Sequence, residues 1–174
     1  MARGRDMWSK TKQVLESRLA DGLKGRVTYQ YDVYRTQKDK VNRAWFTEMH
    51  VLSIRVDGRA WFCTNPNYYG WRPPQTKEDM IRETGFVGCE WGYDAPEFIH
   101  TFLCDLSIDE AIAHPNYFIR LLAVLDARLG RRRVKACMDN IGNEPEWFRK
   151  WIRLRHESRP CAKFPGKGKA LVDG

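Results

Sequence analysis

The sequence predicts an α+β fold: a small antiparallel sheet of three or four strands, packed by an N-terminal helix and a C-terminal helical half. Three observations predict it. Val27, Tyr29, Tyr31 and Val33 alternate with Thr28, Gln30 and Asp32, the period of two that turns one strand face to a core and the other to water. Asp57-Gly58 separates two further apolar runs. That dipeptide is a strong hairpin signal, because both turn residues must take positive φ. From Asp94 onward apolar residues instead recur at steps of three and four, as in helices that bury one face.

Taken in order, residues 7–23 read as a helix, with Trp8, Leu15 and Leu19 on one face, Leu23 extending it and Asp6 as its cap. The clearest strand is 26–35. A polar, cationic loop follows at 36–43, and a second strand is expected over 44–49. The hairpin pairs 50–56 with 59–64. With a two-residue loop, Ile54 faces Trp61 and Leu52 faces Cys63. Residues 65–75, rich in Pro, Gly and Asn, form a loop carrying Tyr68, Tyr69, Trp71 and Arg72. A short acidic helix is expected at 76–84, capped by Thr76, and a short strand at 86–91. One helix covers 95–104, and Ser107 caps a brief one with Asp109 and Glu110 in its first turn.

The stretch 116–133 is the most strongly patterned. Phe118, Leu121, Leu122, Leu125 and Leu129 form an apolar stripe. Pro115 suits the first turn of this helix, and Gly130 suits the left-handed position past its end. Arg131, Arg132 and Arg133 then fall at the carbonyl end, where cations are favoured. A further helical segment spans 134–140. After a short connection at 141–143, the helix 144–156 carries Trp147, Trp151 and Leu154 on one stripe, with Phe148 and Ile152 beside it. Residues 160–174, with three lysines, are expected to form a flexible basic tail to a single domain covering 1–174.

Composition narrows the classes of function. Hydrophobic residues make up 43% and charged residues 30%, which fits a globular chain rather than a disordered one. Five widely spaced cysteines without a C-x-x-C pair, and an N-terminus without an apolar run, point to reduced thiols in a cytoplasmic protein. No stretch is apolar enough to span a membrane. The net charge of +8 is uneven. Residues 1–43 hold 11 Lys/Arg against 5 Asp/Glu, residues 44–130 hold 7 against 12, and residues 131–174 hold 12 against 5. Basic ends flank an acidic middle, so either they neutralise it or they converge into a surface for a polyanion.

The constellation that carries most chemistry is basic. Arg131, Arg132, Arg133, Lys135, Arg149, Lys150, Arg153 and Arg155 lie on two consecutive helices, which the short connection brings side by side. A face of this kind neutralises phosphates and releases their counterions. Arg131, Arg132, Arg133, Arg149, Lys150 and Arg153 are therefore the candidate nucleic-acid or polyanion contacts. The competing explanation is a solvated face. Glu97, His100 and Cys104 share one side of a helix and form the alternative, a metal-dependent or Cys/His enzyme site. It lacks a fourth ligand or an orienting group. Glu90, Asp94, Glu97 and Asp105 are dense enough for a divalent cation but follow no metal motif. Asp126 is expected to pair with Arg120 or Arg133. Gly166-Lys167-Gly168-Lys169 lacks the preceding strand and the Ser/Thr of a phosphate loop. No catalytic, cofactor or metal motif stands out. A third reading is an interaction or dimerisation module using exposed Trp and Tyr residues.

The segments WSK (8–10), LKGRV (23–27), IRLLAVLDARLGRRR (119–133) and PEWFRKWIRLR (145–155) resemble those of a family of small uncharacterised bacterial proteins. The likeness spans most of the chain and leaves out 65–91. It implies a bacterial or phage origin and a shared fold, and it supplies no catalytic residues. The resulting expectation is a non-enzymatic protein that contacts nucleic acid or an acidic protein through its basic face.

Overall fold

The computed structural model describes residues 3–34, 49–64 and 94–158. Helix α1 (Arg3–Arg18) starts earlier than expected, so Asp6 lies inside it rather than capping it. It also ends earlier, with a 3₁₀ turn at Asp21–Leu23 taking up the rest of the stripe. Leu15, Leu19 and Leu23 are buried, and Trp8 packs on the core edge. Strands β1 (Val27–Tyr34), β2 (Met49–Val56) and β3 (Arg59–Cys63) form an antiparallel meander in sequence order. This is the α+β arrangement expected from strands first and helices after. Of the strand expected over 44–49 only Met49 is described, as the first residue of β2; the expected loop at 36–43, the elements at 76–84 and 86–91, the aromatic loop at 65–75 and the basic tail lie outside the described residues.

The β2–β3 turn has the predicted form: Asp57 has φ 49° and Gly58 φ 80°. Arg26 grips Asp57 from the end of the neighbouring strand, with Nε and Nη2 donating to the two carboxylate oxygens at 3.0 and 2.8 Å. The register differs from expectation. A bulge between Ile54 and Arg55 shifts the pairing, so Ile54 faces Phe62, not Trp61, and Ser53 faces Cys63 in place of Leu52. Packing explains the slip. Phe62 is buried and stacks on Phe118 (centroids 5.4 Å apart). Trp61, the extra residue in the bulge, meets the edge of Trp151 at 5.4 Å. Val51 and Ser53 are buried as well as Leu52 and Ile54, so β2 is covered on both faces.

Helix α2 (Ala95–His100) runs on through a wide π turn at Thr101–Asp105. Helix α3 (Ile108–Ile112) opens on a capping box: Ser107 Oγ accepts from Glu110 N–H at 3.3 Å, and Glu110 accepts from Ser107 N–H at 2.8 Å. Helices α4 (Tyr117–Leu125), α5 (Arg131–Asp139) and α6 (Glu146–Glu157) complete the helical half. Asn116 caps α4 by accepting from Phe118 N–H at 2.8 Å, which leaves Pro115 one residue before the cap. Every residue of α4 from Phe118 to Leu125 except Arg120 is buried, so α4 is the centre of the core, flanked by Trp147, Phe148, Trp151 and Ile152 of α6.

Candidate polyanion interface

The expected single helix over 116–133 is two helices, and the break sets the site. Helix α4 stops at Leu125 because the chain there pairs with the segment leaving α1: Ala20 N–H donates to Leu125 C=O at 3.0 Å, and Ala127 N–H to Arg18 C=O at 2.7 Å. Asp126 then folds its buried carboxylate back onto the next turn, with Oδ1 accepting from Arg128 N–H at 2.7 Å. Such a local side-chain acceptor competes with continued helix. Its ionic partner is Arg128, at 3.0 Å. The expected partners are engaged elsewhere, Arg120 with Glu144 and Arg133 with Asp109. Leu129 is still buried after the break, so the apolar stripe continues although the helix does not.

Gly130 is consequently not a left-handed terminator. It has φ −60° and ψ 164°, and it is the N-cap of α5. Arg131, Arg132 and Arg133 therefore occupy the first turn of a helix rather than the last. Exposed amide N–H groups and the positive end of the helix dipole are found there, and anions, not cations, are favoured. Gly130 supplies no side-chain acceptor for these amides.

Arg131 and Arg132 are exposed and form no ion pair among the described residues. Arg133 is held by Asp109 of α3 through two bonds, Nε to Oδ1 at 2.5 Å and Nη2 to Oδ2 at 2.7 Å, and this contact raises its pKa. Asp109, Gly130 and the three arginines line an open concavity of about 590 Å³. Arg155 adjoins it. The turn at Ile141–Asn143 reverses the chain, and the end of α6 returns to the start of α5, where Arg155 Nη2 donates to Leu129 C=O at 3.1 Å. Half-burial pulls the Arg155 pKa down, and Arg131 acts in the same direction, while Asp126 and Asp21 oppose it.

The other three candidates lie elsewhere and are engaged. Arg149 donates to the carbonyls of Glu144 (2.6 Å) and Gly142 (3.0 Å) at the opposite end of the α5–α6 hairpin. It also pairs with Glu146 at 3.2 Å, as does Arg153. Lys150 donates to Trp61 C=O at 2.8 Å and lies 5.5 and 5.7 Å from the Trp61 and Trp151 ring centres. Burial lowers its pKa. Lys150 thus closes the bulge of β3. The six candidate residues are two groups rather than one face, and only the Arg131–Arg133 group surrounds the concavity.

Glu97, His100 and Cys104 are all exposed. His100 Nδ1 lies 3.8 Å from Asp105 Oδ2. Among the described residues no three His, Cys, Asp or Glu side chains converge to hold a metal ion. Glu90 lies outside them. No described helix is long and apolar enough to cross a membrane.

Sequence reasoning passed over the site roles of Asp109, Gly130 and Asp126. A signal for the break was present: Asp two residues before Arg128 in a short polar interruption is an Asx-turn pattern, and Gly before a charged run is an acceptable N-cap.

A model of the SF0329 protein family matches residues 7–85 and 75–156. No curated protein matches the chain, and no solved structure does.

Proposed function

The chain belongs to the SF0329 protein family, and we propose that it is a non-enzymatic binding protein that contacts the phosphate backbone of a nucleic acid. The contact surface is the concavity at the start of α5, where Arg131 and Arg132 are the primary contacts and Arg155 stands beside them. One observation carries this reading. Three consecutive arginines occupy the turn of a helix where the helix itself favours acids, and two of them engage no internal acid among the described residues. A bound phosphate would suit both the helix dipole and the guanidinium groups of Arg131 and Arg132. Arginine forks suit the planar geometry of phosphate oxygens. Arginine contacts to phosphate position a backbone and carry no sequence information.

The test is binding of labelled DNA and RNA across a salt series, with Arg131, Arg132 and Arg133 all replaced by Glu as the control. The reading expects affinity that falls steeply with salt and is lost in the triple variant. Absence of binding at low salt would sink it. The alternative of an enzyme using Glu97, His100 and Cys104 lacks comparable support, since these side chains are exposed and, among the described residues, no three potential ligands converge there.

A further inference from the structure

Among the described residues Asp109 is the one acid that lines the concavity, and it holds Arg133 with two-pronged geometry at 2.5 and 2.7 Å. Its position is fixed from its own side. It sits in the first turn of α3, where the helix dipole favours a carboxylate, and the Ser107–Glu110 capping box pins that turn. A carboxylate bound in this way by a guanidinium occupies the donors that a phosphate would use. We propose that Asp109 is a built-in competitor for the anion site: it withholds Arg133 from small anions and yields it only to a ligand already anchored by Arg131 and Arg132. The inference rests on the reading of this surface as a phosphate-backbone interface and adds a selectivity to it.

The carboxylate is attached to the fold, so its effective concentration at Arg133 is high at every ligand concentration. A single phosphate must displace it using one pair of charges, and fails at moderate concentration. A chain of phosphates gains from Arg131 and Arg132 first, after which the exchange at Arg133 is intramolecular on both sides. The arrangement therefore selects for multiply charged, extended anions over inorganic phosphate or a lone phosphomonoester. Both partners are largely solvent-exposed, at 47% for Arg133 and 64% for Asp109, so the pair can open without disturbing the core.

The experiment compares the wild-type chain with Asp109→Asn and Asp109→Ala, each checked for unchanged folding by circular dichroism. A labelled oligonucleotide is titrated across a salt series, with inorganic phosphate as competitor. Freeing Arg133 is expected to raise affinity about three- to tenfold at moderate salt, because the ligand no longer has to displace the tethered carboxylate. Inorganic phosphate is expected to displace the oligonucleotide from the Asp109 variants at concentrations that leave the wild type bound. Arg133→Ala should weaken oligonucleotide binding by the wild type and abolish the gain in the Asp109→Asn background. Binding by the wild type with no gain in either Asp109 variant would overturn the competitor role alone. No binding by any of the chains would overturn the reading of the surface and the competitor role together. A lower melting temperature with unchanged affinity would show Asp109 to be a structural latch between α3 and α5, and would equally overturn the inference.

Discussion

Replacing Asp126 with Ala tests the break that creates the site. Asp126 is only 3% exposed. Its Oδ1 accepts from Arg128 N–H at 2.7 Å and from Arg128 Nε at 3.2 Å, while Oδ2 faces Nε at 3.1 Å and Nη2 at 3.0 Å. A buried hydrogen bond to a charged group contributes about 1.5–3 kcal/mol. The ion-pair part is smaller, about 1 kcal/mol or less, because the Arg128 side chain is 39% exposed and water screens it. Relief of the carboxylate's own desolvation offsets some of this. The net expectation is a loss of about 2–3 kcal/mol, or a fall in Tm of about 5–10 °C for a chain of this size. Urea denaturation with a constant m-value measures it. Asp126→Asn keeps the Oδ1 acceptor and should lose about half as much, which separates the turn from the charge. An Ala variant within about 0.5 kcal/mol of wild type would refute the claim that this carboxylate stabilises the turn that follows α4, since surface changes of no consequence fall in that range.

Two further outcomes follow from the sheet. Tyr29 is fully buried, and burial, aided by Asp126 and Glu16, pushes its pKa far above the usual tyrosine value. A raised folded pKa gives stability that is complete below the unfolded value of about 10 and is lost as pH rises past it, by up to about 1.4 kcal/mol per pH unit. Tyr29→Phe should therefore flatten the stability profile between pH 9 and about 11 relative to wild type, and parallel profiles would contradict the burial argument. At Gly58, φ is 80° and a methyl group would meet only open space, so the strain of adding one is conformational rather than steric. Gly58→Ala should lower stability by about 1 kcal/mol, whereas no change would show that the turn adopts another form.

How far the fold could be read depended on whether its signals were local. The hairpin was legible because Asp57-Gly58 meets a backbone requirement within two residues. The bulge beside it was not, because it serves contacts made far along the chain, Phe62 on Phe118 and Trp61 on Trp151. The helix over 116–133 was misjoined for a related reason. Leu129 is buried in step with Leu121, Leu122 and Leu125, so the apolar period runs through the break, and the strand-like pairing of Leu19 with Asp126 that causes it is a tertiary contact.

The site was legible as charge but not as arrangement. Composition marks residues 131–155 as basic, yet it cannot show that Arg149 and Lys150 are committed to backbone carbonyls while Arg131 and Arg132 are not. That difference arises from which helix end each residue occupies, and the misplaced break reversed that end for the three arginines. The same error hid Asp109, whose role exists only because α3 packs its first turn toward the first turn of α5.

The most direct test of the central claim is to replace Arg131 and Arg132 together with Glu and to measure oligonucleotide binding and Tm on the same sample. Acids suit the first turn of α5 and cations do not. The account predicts that binding disappears while Tm is unchanged or higher, because two residues kept for a ligand have been exchanged for two that suit the helix. Retained binding, or a clear fall in Tm, would show that these arginines support the fold rather than a phosphate backbone.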